Sequence, residues 1–201
     1  GGSFNGKDNY NGFNVDAGKG AVVNITGGEF LPVHSGSLYG EGTINVTGGT
    51  FFDNPTDRLD EGYIAVKEGE NWVVKQADAV IGETLYATFA DAVKDAKSGD
   101  TITLLADKVD FDADKSVQIA AGKVLTLDLN GKTLYGETDQ TGNREMFLVN
   151  GTLNVSNGTI EQKHVGANME WSAMTTIFDV TAGGVVNLTS VTVKNLGGSD
   201  M

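Results

Sequence analysis

The chain has 201 residues, with 14 basic and 27 acidic side chains and a formal net charge of −13. A surface of this charge repels nucleic-acid phosphates and anionic lipids, which argues against both as partners. The chain has no cysteine, so disulfides play no part, and no apolar run approaches the ~20 residues that a membrane-spanning helix needs.

A motif occurs twice near the start of the chain, as VVNITGGEF at residues 22–30 and TINVTGGTF at residues 43–51. Each copy has an apolar-polar-apolar triplet, then small residues, then a polar-apolar pair. The alternation predicts strands with Asn24 and Asn45 pointing outward, and the glycines permit a sharp corner after each triplet. We predict that residues 1–76 form the C-terminal rungs of a β-helix.

The segment after these copies predicts a hairpin. Residues 53–62 are polar and contain Pro55, which ends strand pairing. Two short alternating strands follow in GYIAVKEGENWVV, residues 62–74. Their apolar side chains are expected to cover the strand edge of the last rung, which would otherwise invite aggregation.

A helix is predicted next, near residues 88–97. Its apolar residues recur at helical spacing behind Thr88, a good N-cap, and Gly99 is expected to stop it. We expect this helix to cap a second β-helix that comprises residues 77–201. One continuous solenoid with an inserted cap is the alternative.

The repeat returns in the second half as LTLDLNGKTL (125–134), TLNVSNGTI (152–160) and VVNLTSVTV (185–193). Aligning Leu127, Leu153 and Val186 gives intervals of 26 and 33 residues, which are typical of a solenoid. In this alignment Asp128, Asn154 and Asn187 form one outward column, and the flanking apolar residues, among them Leu188, point inward. With another short strand before each copy, the predicted fold is an all-β, right-handed parallel β-helix with three short strands per coil.

The segment TFADAVKDAKSGDTITLL followed by LTLDLNGKTL resembles the amino-terminal cap and first coils of pectin-lyase-like right-handed β-helix proteins. The segment TGGTFFDNPTDRLDEGYIAVKEGENWVV resembles a recurring segment in large surface and adhesin proteins of gut and other anaerobic bacteria. The resemblance implies a bacterial, extracellular location, at the cell surface or secreted, for a fragment or mature segment of a longer protein. It names no substrate.

Catalytic equipment is sparse in the outward column. A lyase of this type needs clustered acids and a base, and a glycosidase needs paired carboxylates, yet only Asp128 of the column titrates. We predict no catalytic residues, no metal site and no cofactor. Asp110, Asp112 and Asp114 alternate on an extended segment, so a structural calcium is the alternative there to a solvated loop.

Two loops leave equivalent corners of adjacent rungs, at residues 135–145 and 161–176, and are expected to project on one side. Loops on rigid scaffolds often carry function, and an aromatic ring with acids and an arginine is typical of a sugar-binding site. The alternative is that Trp171 packs its own loop down. The predicted ligand-binding residues are Tyr135, Glu137, Asp139, Arg144, His164 and Trp171, with Glu161 beside them.

These observations favour a non-catalytic module of a bacterial surface protein, acting as a stalk or adhesin, with glycans or host or bacterial surface proteins as partners. One alternative is a fragment of a polysaccharide lyase or glycoside hydrolase. Another is a solenoid that associates end to end with itself. Nucleic-acid binding and membrane insertion of this segment are not expected.

Overall fold

The computed structural model of the chain describes residues 3–4, 13–31, 36–112, 116–138, 144–164 and 175–196. The chain divides into two compact units, Gly1–Ala77 and Asp78–Met201. The described residues are mostly β-strand and include one α-helix, which confirms the all-β class.

The first unit is built on parallel strands that carry the repeated motif. Strands β1, β3 and β5 pair in parallel, and a smaller parallel pair joins β2 and β4. Asn24 stands beside Asn45, and Phe30 stacks on Phe51 with ring centroids 4.5 Å apart. The strands are β1 (Ser3–Phe4), β2 (Val15–Asp16), β3 (Val22–Phe30), β4 (Leu38–Tyr39), β5 (Thr43–Phe51), β6 (Tyr63–Glu68) and β7 (Asn71–Gln76).

The hairpin lies where the alternation of the sequence predicts it. Strands β6 and β7 pair antiparallel, and the turn uses Gly69 at a φ of +63°. Strand β7 then pairs antiparallel with β5, from Gly49 beside Val74 to Phe51 beside Trp72. The hairpin therefore covers the part of the β5 edge that these residues form, and Val74 joins the core of the unit.

The second unit contains one long set of paired strands and one short set. The first sheet has the order β11-β14-β16-β13-β10-β8-β9, with β18 also paired to β16, and the second has the order β12-β15-β17. All pairings are parallel except those made by β8. The elements are β8 (Ala79–Ile81), β9 (Thr84–Tyr86), α1 (Phe89–Asp95), β10 (Thr101–Leu104), β11 (Lys108–Asp112), β12 (Val117–Ile119), β13 (Val124–Asp128), β14 (Thr133–Thr138), β15 (Arg144–Val149), β16 (Thr152–His164), β17 (Thr175–Val180) and β18 (Val185–Leu196).

The helix α1 begins as predicted and ends earlier than predicted. Thr88 caps it, since its hydroxyl accepts a hydrogen bond from the Asp91 amide at 3.1 Å. The helix ends at Asp95 because Ala96 takes an extended conformation, and Gly99 lies in the turn that leads to β10. Phe89 is buried and meets Phe111 edge to face, with centroids 5.8 Å apart. The helix thus contributes side chains to the core of the unit.

The register of β13 corrects the alignment drawn from the sequence. Leu125, and not Leu127, stands beside Leu153, which in turn stands beside Val186. After the corner the predicted alignment holds, since Leu134 stands beside Ile160. At this corner four residues, 129–132, lie between Asp128 and Thr133. Only two residues, 157 and 158, lie between their register partners on β16, Ser156 and Thr159. The prediction was therefore wrong by two residues before the corner.

The change of register moves Asp128 out of the asparagine column. Asp128 stands beside Ser156, and the neighbours of Asn154 are Thr126 and Asn187. The asparagine pairs themselves bond as expected for a ladder. Asn187 donates from Nδ2 to Oδ1 of Asn154 at 2.8 Å, and Asn45 donates in the same way to Asn24 at 2.9 Å in the first unit.

Most of the residues predicted to point inward are buried, but Leu188 and Val193, both on β18, are not. Leu127, Leu153 and Val155 are at most 1% exposed, whereas Leu188 is 46% exposed. Strand β18 pairs with β16 on one side, and no strand of the described ranges pairs with its other side. Leu188 therefore lacks the neighbouring layer that covers Val155.

One buried side chain breaks the apolar pattern of the interior. Gln162 is fully buried on the inward face of β16, next to Gly136 of β14 and Asn195 of β18. Neither Nε2 nor Oε1 of Gln162 has a hydrogen-bond partner in the described structure. A buried amide without partners costs stability, so this residue is a weak point of the core.

Two glycines at equivalent places of the first-unit motif differ in the space around them. A Cβ on Gly48 would lie 2.6 Å from the carbonyl oxygen of Thr26, whereas a Cβ on Gly27 would meet nothing within 4 Å. We expect Gly48→Ala to lower the free energy of unfolding by about 1–3 kcal/mol, because backbone atoms have to shift. Gly27→Ala is the matched control and should be neutral or stabilising by up to about 1 kcal/mol. Hydrogen exchange of the β5 amides measures both, and equal effects of the two substitutions would contradict the parallel stacking of β3 on β5.

Candidate functional site

A row of outward side chains crosses four neighbouring strands of the second unit. Asp110, Tyr135, Glu161 and Lys194 are register partners on β11, β14, β16 and β18. Parallel pairing in register places such residues on one face, about 4.8 Å apart from strand to strand. Along the row the groups are therefore acidic, aromatic, acidic and basic in turn.

Tyr135 is held from two sides at the centre of this row. The ammonium of Lys108 lies 3.6 Å from the centroid of its ring, and its hydroxyl donates a hydrogen bond to Oε1 of Glu137. Only 9% of Tyr135 is exposed. One face of the ring is thus occupied by a cation, which leaves Tyr135 poorly placed to stack on a ligand.

The hydrogen bond to Glu137, burial and nearby negative charges raise the pKa of Tyr135 to about 12. The hydrogen bond to Glu137 is the largest cause, followed by burial and then by the negative charges of Glu137, Glu161 and Asp110. Each of these disfavours the phenolate. Tyr135 is therefore a proton donor at neutral pH and has none of the acidity of a catalytic phenol.

The charged residues of the row also have partners of opposite charge, either in the row or on the same strand. Nζ of Lys108 lies 3.0 Å from Oδ1 of Asp110, and Nζ of Lys194 lies 3.3 Å from Oε2 of Glu161. A shallow concavity beside them is lined by Lys108, Asp110, Phe111, Tyr135 and Glu137. Its polar groups suit hydrogen bonding to hydroxyl groups, but most are already engaged.

The structure brings together part of the predicted ligand-binding set. Tyr135 and Glu137 are neighbours in space, with Glu161 on the next strand. Arg144 opens β15 and His164 ends β16, but their side chains are outside the described structure, as are Asp139 and Trp171 altogether. The ligand-binding surface of these six residues therefore stays a prediction.

Sequence reasoning missed Lys108 and Lys194 as residues of the site. It assigned Asp110 to a solvated loop, with a structural calcium as the alternative. Each occupies the place in its strand that Thr133, Tyr135 or Glu161 occupies in a neighbouring strand. The signal was the position on either side of the inward apolar residue that follows each corner; these apolar residues are Val109, Leu134, Ile160 and Val193.

The predicted acidic candidates have structural partners. Oδ1 of Asp128 accepts hydrogen bonds from the Asn130 amide at 3.0 Å and from Nδ2 of Asn157 at 3.1 Å, so it holds the corner. Asp110 pairs with Lys108, while the Asp112 side chain and Asp114 are outside the description. Within the described ranges no group of three or more histidine, cysteine or acidic residues could hold a metal ion.

Comparison with protein-family models, with curated proteins and with solved structures found no match to this chain. The pectin-lyase-like resemblance therefore stays a prediction. No helix among the described residues is both long and apolar enough to cross a membrane.

The titration of Tyr135 tests the geometry of the site. We expect its phenol to ionise near pH 12, above its ordinary value of 10, and Glu137→Gln to bring the pKa down towards 10. The folded state binds the phenolic proton more tightly than the unfolded state does. The stability from this bond is therefore fully present below about pH 10 and is lost as the pH rises towards 12.

The ¹³Cζ chemical shift of Tyr135 followed by NMR measures this pKa. Glu161→Gln is the control, because its charge acts without a hydrogen bond to the ring and should change the pKa less. An unchanged pKa in Glu137→Gln would show that the Tyr135–Glu137 bond does not form.

Proposed function

We propose that the chain is a non-catalytic, extracellular module of a bacterial surface protein, folded as a right-handed parallel β-helix and serving as a stalk or adhesive scaffold. The observation that supports this most is the parallel register from β14 through β16 to β18. Between β16 and β18 the pairing stays parallel from Thr152 beside Val185 to Lys163 beside Leu196. Between β14 and β16 it is also parallel. Stacking of this kind builds an extended, stiff body from short repeats.

The outward side chains support the same proposal, because many bond to the next strand. Asn187 bonds to Asn154, Lys194 pairs with Glu161, and Thr181 donates to Oδ1 of Asn150 at 2.6 Å. Polar groups engaged between neighbouring strands stabilise the stack and are less available for chemistry on a substrate. The extracellular, bacterial setting rests on the resemblance alone.

The enzyme alternative would need a carboxylate on the outward face of the strands that is free to act on a substrate. Asp128 is the candidate from the sequence, yet it accepts two hydrogen bonds at its corner. Glu137 accepts from Tyr135. These contacts favour a structural role for both residues over a role as nucleophile or general base.

An activity assay tests the proposal directly. We expect the full chain to leave polygalacturonate, xylan and mixed-linkage β-glucan intact over a long incubation, with and without calcium. Reducing-end release reports hydrolysis, and the ultraviolet absorbance of unsaturated products reports elimination. Turnover that Asp128→Asn or Glu137→Gln abolishes would overturn the non-catalytic proposal in favour of a lyase or hydrolase.

Self-association is a second candidate function, and strand β18 is the observation that favours it. The edge of β18 away from β16 has no partner within the described ranges. Five apolar side chains of β17 and β18 are more than 40% exposed: Val180, Val185, Leu188, Val193 and Leu196. An unpaired strand edge with apolar side chains is a template for another strand.

We expect the sedimentation-velocity mass average of the chain to rise with concentration, through pairing of β18 with a second copy. Leu188→Lys should keep the chain monomeric, because it places a charge in the apolar contact. Thr189→Lys is the matched control, since it adds the same charge on the opposite, outward face of β18. A monomer at all concentrations, or equal behaviour of the two variants, would rule out this mode of association.

A further inference from the structure

The first unit carries an aromatic ring with an open face. Tyr39 of β4 stacks on Phe13, with ring centroids 4.2 Å apart and planes 9° from parallel. Tyr39 is nevertheless 53% exposed. The stacked Phe13 ring covers one face of Tyr39, so the exposed part of the Tyr39 ring is the opposite face and the edge.

The segment that follows β5 contacts the chain on both sides of Tyr39, since Asp53 accepts a hydrogen bond from the Ser37 amide and Arg58 bonds to Gly40. Strand β2 lies on one side of β4, with Asp16 beside Tyr39. On the other side of the same layer, Leu59 pairs with Val46 along the β5 edge opposite β3. Arg58 precedes Leu59, and its Nη2 donates a hydrogen bond to the carbonyl oxygen of Gly40 at 3.4 Å.

The guanidinium of Arg58 is therefore held at Gly40, the residue that follows Tyr39. The hydrogen bond to Gly40 uses one of five guanidinium N–H groups, which leaves donors for a ligand. Two exposed acidic residues are close to Tyr39: Asp16 is its register partner on β2, and Glu41 follows it by two residues. Their carboxylates supply hydrogen-bond acceptors. An apolar ring face bordered by a planar donor and by carboxylates matches the C–H face and the hydroxyl groups of a pyranose.

We propose that Tyr39 is the stacking platform of a binding site for neutral pyranose units, with Arg58 as its main hydrogen-bond donor. The two carboxylates and the net charge of −13 disfavour anionic sugars. Tyr135 of the second unit contrasts with Tyr39, because Lys108 covers a face of its ring and only 9% of it is exposed. The proposed site goes beyond the stalk function and does not depend on the predicted loop surface of the second unit.

Titration of the full chain with cellopentaose, followed by NMR, tests the site. We expect saturable shifts in the ring resonances of Tyr39, and binding about tenfold weaker in Tyr39→Ala, which removes the platform. Tyr39→Phe should bind as the unchanged chain does, because it keeps the ring. Tyr39→Phe is therefore the matched control for Tyr39→Ala, and a pentamer of galacturonate should bind more weakly than cellopentaose.

Arg58→Gln keeps the aromatic stack and should weaken binding several-fold, so the proposal remains testable if Tyr39→Ala does not fold. Three results would overturn it. These are no binding of cellopentaose to the unchanged chain, equal binding in Tyr39→Ala and in the Tyr39→Phe control, and tighter binding of the galacturonate pentamer. Lyase or hydrolase activity would overturn the non-catalytic proposal and leave this result standing, so the two failures are distinguishable.

Discussion

Parallel pairing in register is the constraint on which the rest of the structure depends. Every backbone hydrogen bond between β16 and β18 places a residue beside its counterpart one repeat away. An apolar residue thereby gains an apolar neighbour on each side, and an asparagine gains another asparagine. The repeat in the sequence exists because this geometry rewards the same residue type at the same place in each layer. A single mismatch such as Gln162 among buried residues then makes no side-chain hydrogen bond within the described structure, although Asn195 is its register partner on β18.

The same constraint decides which outward residues are available to a ligand. A residue between two layers has neighbours above and below, and polar groups at that distance pair with each other. Tyr135 shows the result, since Lys108 and Glu137 engage its ring and its hydroxyl. Tyr39 differs because a short 3₁₀ helix, Thr56–Arg58, supplies Arg58 beyond β4, where the regular stack would supply another strand. The regular stack thus favours stability, and departures from it leave groups free to bind.

The sequence predicted the parts of the fold that follow from local pattern. The strands of the motif, the hairpin turn and the Thr88 cap all depend on residues within a few positions of each other. The register of β13 did not follow, because the two extra residues lie in a turn and NG occurs in both LNGKTL and SNGTI. The exposure of Leu188 did not follow either, because burial depends on which strand lies on the far side. Local pattern fixes the face of a residue, and only the assembled layers decide its burial.

The sequence predicted where the residues of the candidate site lie, but it did not predict whether their side chains are free to contact a ligand. Alternation places Tyr135 and Glu137 outward on one strand, and the repeat places Glu161 on the next. Whether a ring face is free depends on long side chains from a neighbouring strand, such as the Lys108 ammonium, and their direction is not encoded in periodicity. A long cation beside an aromatic ring tends to cover it, because it gains the attraction of the ring while its head stays hydrated. Register partners alone do not decide this, because those of Tyr135, Asp110 and Glu161, are both acidic, and the lysine that covers its ring lies two residues before Asp110 on β11. A search for binding platforms in stacked β folds should therefore consider every long cation on the neighbouring strands.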